Sequence, residues 1–449
     1  MADVTAHRAA ILHCLRDPSG DKDPVAAGSV EYFEDGLLVV ADGLVEAVGP
    51  ADELLARLPS TVPVTDHGDK LIIPGLIDCH VHYPQIDIIG SYGERLLDWL
   101  ERYAYPAERA FADPAHAQEV AEFFVQELLR NGTTTACVFA TVHPHSVDAI
   151  FEAAAKAGMR LIAGKVMMDR NCPADLRDTP ATSYEQSRAL IEKWHGRDRL
   201  LYAVTPRFAI TSSEAQLREA GRLLQEFPDV YLHTHLAENE EEVKRVAELF
   251  PWSRSYLHVY EHFGLVRERS VFAHCIHMED EDRRLMARKG AAMAFCPSSN
   301  LFLGSGLFDL AASRRYGVHV GVGTDVGGGT SLSLLRTLGD GYKALKLREQ
   351  PLSPFAAFYL VTQGAALALH LHDRIGNFEK GKEADFNVLD PFTTTLASRR
   401  WRTTPELANR LFLQLMLGDE RAVSSAWVSG RACGPHGSTA RTRASARRR

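Results

Sequence analysis

The sequence predicts an α/β protein, a (β/α)8 TIM barrel with a small β-sandwich domain built from the N- and C-terminal segments. Three observations carry this expectation. Between residues 71 and 325, eight apolar strand-like runs alternate with helical patterns, the mark of parallel β/α units. Ahead of them, Leu37-Leu-Val-Val-Ala-Asp-Gly-Leu-Val-Glu-Ala-Val48 reads as two strands around an Asp42-Gly43 hairpin turn. Behind them, short strands return at 384–390 and 422–428 and are expected to pair with the front piece. The 449 residues suffice for one large barrel and a smaller appended unit. The expected division is 1–70 and 376–432 for the two parts of the sandwich, 71–375 for the barrel, and 433–449 for a disordered basic tail.

The eight barrel strands are expected at 71–82, 133–141, 161–168, 200–208, 230–238, 270–277, 291–298 and 318–325. Helix signals fill the gaps. Asp113-Pro114 offers an N-cap followed by proline at the first helical position, Val120, Phe124 and Leu128 recur at helical spacing, and Asn131-Gly132 ends the run. Thr211-Ser-Ser-Glu214 similarly opens a helix that ends near Phe227-Pro228. No Gly-x-Gly-x-x-Gly turn follows the first strand, which argues against a dinucleotide-binding sheet. The glycine-rich Gly321-Val-Gly-Thr-Asp-Val-Gly-Gly-Gly329 lacks the Lys-Ser/Thr of a phosphate loop. It reads instead as close backbone approach around a buried aspartate, with Gly327 to Gly329 forming an open pocket rim.

Composition narrows the function. With 45% hydrophobic and 24% charged residues and a formal charge of -8, the chain reads as an ordinary globular protein without nucleic acid as a general partner. No apolar stretch approaches the roughly 20 residues of a membrane span, and the first residues carry no apolar signal core, so a cytoplasmic location is the default expectation. Five of the last nine residues are arginine, a run read as a solvated end. The seven cysteines are odd in number and lack Cys-x-x-Cys spacing, so reduced thiols are expected and a His/Cys/Cys deaminase zinc site is not.

The chemistry gathers at strand ends. His80 and His82 are two residues apart and therefore share one strand face. His235, His274 and Asp325 each close a later strand, where a barrel enzyme builds its site. Four imidazoles and one carboxylate are ligands for a catalytic zinc or iron, although with 19 histidines an isolated pair such as His143/His145, His233/His235 or His370/His372 means little. His233 shares its face with His235, so parity alone cannot choose between them. Glu238 follows His235 by three residues and can face the same pocket or serve as the acidic first turn of a helix. Arg207, after a strand end and Pro206, is expected to face the pocket.

Pro74-Gly-Leu-Ile-Asp-Cys-His-Val-His82, His235, His274, Asp325 and Gly376-Asn-Phe-Glu-Lys-Gly-Lys-Glu-Ala-Asp385 together resemble the amidohydrolase superfamily over about residues 30 to 430. His82-Tyr-Pro-Gln85, the 96–108 segment ending in Glu108, Thr205-Pro-Arg-Phe208, His235-Leu-Ala-Glu-Asn239 and Gly323-Thr-Asp-Val-Gly-Gly328 are more specifically similar to its guanine-deaminating members. The resemblance implies one divalent ion, Zn2+ or alternatively Fe2+, on His80, His82, His235, His274 and Asp325. It also implies hydrolysis of guanine to xanthine and ammonia by a metal-activated hydroxide. Glu238, His274 and Asp325 are the expected catalytic groups, with His274 assigned either as ligand or as proton relay. Gln85, Arg207, Phe208, His235 and Glu238 are expected to bind the base, and Trp99 and Tyr103 to lie near the mouth. A lysine-bridged second metal is not expected, because the fourth strand ends Val204-Thr-Pro-Arg207, leaving Lys165 without that role. Family analogy implies a homodimer. The alternative reading is a deaminase or chlorohydrolase acting on another purine, a pyrimidine or a triazine.

Overall fold

The computed structural model describes residues 3–93 and 95–433. Both ends of the chain meet in one mixed seven-stranded sheet. Its first strand, β1 (Val4–Cys14), pairs antiparallel with β2 (Val30–Ala41) and parallel with β4 (Val64–Pro74). The chain turns from β2 into β3 (Leu44–Pro50) through Asp42 and Gly43 at φ 51° and 80°, the positive values that a two-residue type I′ turn requires. The sheet is completed, counting the barrel strands between, by β14 (Phe386–Leu389), β15 (Val423–Val428) and β16 (Arg431–Cys433), with β14 antiparallel to β4. Ile11, Leu38, Val40, Ile72, Phe386 and Val388 form its apolar centre.

The barrel strands are β5 (Leu76–His82), β6 (Thr133–Phe139), β7 (Arg160–Gly164), β8 (Val166–Met167), β9 (Leu200–Pro206), β10 (Tyr231–Leu236), β11 (Ser270–His274), β12 (Ala292–Phe295) and β13 (His319–Val322). Eight of them pair in the order β13-β12-β11-β10-β9-β7-β6-β5, and β8 adds to β9 as a two-residue extension of β7 beyond Lys165. The strand expected from residue 71 is therefore divided. Leu71 to Pro74 pair with β14 in the small sheet, and the barrel strand starts after Gly75, where any side chain would collide with Thr134.

Closure falls between β13 and β5, and it is also where the site is built. Beyond β13, the Asp325 N–H donates to the His80 carbonyl and the His82 N–H to the Val326 carbonyl, both at 2.9 Å. Gly323 makes this approach possible: a Cβ there would lie 2.8 Å from His80 Cβ and 2.9 Å from its carbonyl oxygen. Asp78, fully buried on β5, accepts the Thr324 and His80 N–H groups at 3.1 Å and ties the two strands together. Burial pushes its carboxyl up to about 7.

Helix Pro114–Arg130 runs as the sequence predicts, with Asp113 accepting from the Ala115 N–H. Helix Glu214–Glu226 is capped by Ser213, two residues past the expected Thr211. Two helices were not anticipated, Thr395–Arg402 and Leu407–Leu417, which lie between β14 and β15. Leu411 and Leu415, four residues apart, bury one face of the second. All seven cysteines are free thiols, six of them buried. Among the described residues no helix is long and apolar enough to cross a membrane. Of the tail expected at 433–449, Cys433 closes β16 and the rest lies outside the described residues.

Candidate active site and metal centre

The strand ends bring the predicted ligands together. His80 Nε2 and His82 Nε2 stand 3.1 and 3.3 Å from Asp325 Oδ1, and His82 Nε2 lies 3.2 Å from both His80 Nε2 and His235 Nε2. Ligand atoms about 2.0–2.1 Å from one tetrahedral zinc lie about 3.3–3.4 Å from each other, so these spacings fit a single ion. His274 Nε2 sits at the edge of the cluster, 3.7 Å from Asp325 Oδ2 and 3.3 Å from Glu238 Oε2. Ligand atoms of His80, His235, His274 and Asp325 all fall within 4.8 Å of one another.

Each ring is held from behind. His235 Nδ1–H donates to the Arg207 carbonyl at 2.8 Å, and because a carbonyl only accepts, Nε2 keeps its lone pair for the cluster. His80 Nδ1 lies 2.8 Å from His233 Nε2, and His233 Nδ1 lies 3.2 Å from Cys137 Sγ, so His233 stands behind His80 and His235 faces the cavity. His274 Nδ1–H donates to Asn300 Oδ1 at 2.9 Å.

The electrostatics suit cation binding. Burial pushes the His80 imidazole down to about 4, lowers His82, and lowers His235 further, leaving neutral rings. Burial alone would raise Asp325, but His80 and His274 hold its carboxyl well below the usual range. Burial pushes Glu238 up to about 7, with the nearby Asp325 charge adding to it. Burial works against a charged His274, yet the Glu238 and Asp325 carboxylates outweigh it and raise the imidazole. The backbone pays for this convergence: Ala237, His274, Cys275 and Asp325 all take positive φ, from 50° to 71°.

Glu238 is not part of a helix. Asn239 caps the helix Glu240–Leu249, whose acidic first turn is Glu240, Glu241 and Glu242. The Glu242 carboxylate accepts the Glu238 and Asn239 N–H groups at 2.8 and 3.1 Å, and Ser305 Oγ donates to Glu238 Oε1 at 3.0 Å. The Glu238 side chain therefore projects, buried, into the site.

Opposite the cluster, a cavity is walled by Gln85, Leu96, Trp99, Leu100, Arg207, Phe208 and Leu303. Arg207 and Gln85 both meet Glu108: Arg207 Nη1 donates to its two oxygens at 2.8 and 2.7 Å, and Gln85 Nε2 donates to Oε1 at 3.0 Å. The Phe208 ring stands 6.4 Å from that of His235. Trp99 lines the cavity with its buried indole N–H unpaired among the described residues, whereas Tyr103 packs against Trp99 and Arg102 without lining the cavity.

One expectation needs correction, and two others hold. Gly327 to Gly329 do not form an open rim. All three are buried, and a Cβ at Gly327 would lie 2.9 Å from the Gln85 carbonyl oxygen. His143 and His145 lie outside the cavity, His145 Nε2 meeting the Phe111 carbonyl at 2.7 Å. Lys165 is buried against Asp178 and the Val166 carbonyl. The sequence reading missed Glu108, Asn300 and Asp78. For Glu108 a signal existed: a buried arginine demands a carboxylate partner, and the segment singled out by resemblance ends at that residue.

The comparisons agree with this geometry. A model of the amidohydrolase family matches residues 71–446. Guanine deaminase of Escherichia coli K12 is 49% identical over 411 residues, covering 92% of this chain and 94% of that protein. A probable guanine deaminase of Deinococcus radiodurans is 40% identical, covering 94% and 97%. Among solved structures, E. coli guanine deaminase superposes with a TM-score of 0.92 at 47% identity, covering 95% of this chain and 99% of that one. The C. acetobutylicum guanine deaminase with bound guanine in its active site gives 0.86 at 28%, covering 96% and 100%. With the family model spanning the whole barrel and these ligands gathered at its strand ends, the chain belongs to the amidohydrolase family.

Proposed function

We infer that the protein hydrolyses guanine to xanthine and ammonia with one divalent metal ion, Zn2+ in the first instance, held by His80, His82, His235 and Asp325. The observation that carries this reading is one cavity lined on one side by the His/Asp cluster with Glu238 and on the other by Gln85, Arg207 and Phe208. It is supported by the extensive identity to guanine deaminases. When bound, the ion supplies hydroxide at neutral pH by acidifying water.

The chain's own groups do the rest. Arg207 donates to the guanine carbonyl oxygen, Gln85 offers a donor and an acceptor to the base edge, and Phe208 covers the ring face. Asp325 accepts the proton released from water. Glu238 delivers a proton to the ring nitrogen beside the amine-bearing carbon, takes one up from the newly added hydroxyl, passes it to the departing amine, and is reprotonated by the proton that Asp325 took from water. The new C–O bond replaces the C–N bond, and ammonia leaves. His274, closer to Glu238 than to Asp325, acts as the relay that steadies the developing negative oxygen rather than as a primary ligand. A homodimer, by family analogy, and cytoplasmic residence, as the default location, complete the reading, open to light scattering and fractionation.

The test is turnover of purified protein on guanine with the product identified by mass. Xanthine and ammonia in equal amounts are expected. Absence of guanine turnover by metal-loaded protein overturns the reading.

A further inference from the structure

We propose that Glu108 is a positioning residue that makes the base-binding wall select neutral oxopurines over anionic ones, an inference that rests on the guanine reading above. Glu108, Gln85 and Arg207 are 1%, 2% and 3% exposed, so their charges and dipoles act on one another with little help from water. Arg207 and Gln85 line the cavity and Glu108 does not. Whatever Glu108 does to a bound base, it does through them.

Two consequences follow from the hydrogen bonds. The Arg207 guanidinium spends Nη1 on both Glu108 oxygens and lies over the Tyr105 ring at 5.3 Å, so the wall holds a closed ion pair rather than a lone buried cation. A lone buried cation would draw in an anion, whereas the closed pair offers its remaining N–H groups to an uncharged carbonyl. Gln85 is fixed as well. Its Nε2 donates to Glu108 Oε1, and its Oε1 accepts the Gly327 N–H at 3.3 Å. A carboxylate only accepts and an N–H only donates, so the opposite amide orientation would set two like groups face to face. One carboxylate thus sets both the charge of the wall and the donor and acceptor order that the base meets.

The segment supplying Glu108 supports a positioning role. Helix Leu96–Trp99 passes into a π-helical turn, Leu100–Ala104, and then into helix Tyr105–Ala110. Trp99 before the wide turn lines the cavity, and Glu108 after it lies behind the wall. Such turns recur where a helix must re-aim side chains at a site.

The test is equilibrium binding of hypoxanthine and xanthine to metal-loaded protein above the first ionisation of xanthine, where xanthine is an anion and hypoxanthine is neutral. Wild-type protein should prefer hypoxanthine. Glu108→Gln leaves Arg207 uncompensated and should shift the affinity ratio toward xanthine by about tenfold or more. Arg207→Met, which leaves the carboxylate alone, should shift it the other way, and the double variant should return it to the wild-type value. Should Glu108→Gln fail to fold, Arg207→Met and the double variant still decide the matter. A ratio unmoved by the charge changes overturns the inference while the guanine reading stands. If neither purine binds the wild-type protein, this inference fails, while the guanine reading is decided separately by guanine turnover.

Discussion

The two walls of the cavity are built on different principles. The cluster side is strand-borne: His80, His82, His235 and His274 sit on β5, β10 and β11, and Asp325 three residues beyond β13. Its geometry is locked by main-chain hydrogen bonds across the barrel seam and by left-handed backbone at three of its corners. The base side is borne on connections: Gln85 in the turn Tyr83–Ile88, Trp99 and Glu108 on short helical pieces, Arg207 and Phe208 just past β9. There the order comes from side chains, with Glu108 as the shared anchor. Reaction chemistry that tolerates little displacement is placed on the rigid half, and the choice of base on the half whose side chains can be re-set.

That contrast can be broken by substitution, because changes to the metal ligands should move metal content and turnover together while changes on the base side should move KM and leave the metal in place. The largest effect is expected for Asp325→Ala, which removes the carboxylate shared by His80 and His82 and leaves crowded imidazoles. Metal content by atomic absorption should fall along with nearly all turnover. Glu238→Gln keeps the cluster and the hydrogen bonds around it but cannot shuttle protons. The expectation is a kcat lower by about 10²- to 10⁴-fold with metal content unchanged; loss of the metal would mean that Glu238 serves as a ligand instead.

On the base side, Arg207→Met should lower kcat/KM for guanine by about 10- to 100-fold, as for a hydrogen bond to a charged donor, with metal content unaffected. The smallest effect is expected for Trp99→Phe. It keeps an aromatic wall but deletes an N–H that has no partner among the described residues, so a base-bound wild-type N–H would cost about two- to tenfold in kcat/KM when lost. Unchanged kinetics would assign Trp99 to packing alone.

The same contrast explains what could be read from the sequence. Strand parity put His80 and His82 on one face, and the recurrence of ligand types at strand ends pointed to the cluster before any contact was known. Resemblance did the finer work, since parity left His233 and His235 open until the structure put His233 behind His80. Glu108 lies within a segment similar to the family, yet the sequence alone assigns it no role, because its meaning depends on partners 23 and 99 residues away. Asp78 and Asn300 were hidden for the same reason: Asp78 meets Thr324 across the seam and Asn300 meets His274 from a neighbouring unit. The apolar run Leu411-Phe-Leu-Gln-Leu-Met-Leu417 carried no clean period of either kind, so its helix was not anticipated. At residues 71–74, continuous hydrophobicity masked the transfer from small sheet to barrel, and Gly75 was the only local sign of it.

The proposed chemistry stands or falls most directly on metal-stripped protein titrated with zinc and assayed on guanine at each step. Xanthine formation should rise from near zero and saturate at about one equivalent per chain, as a single tetrahedral site of this ligand set requires. Full turnover without metal, saturation at two equivalents, or no xanthine at any zinc level would contradict it.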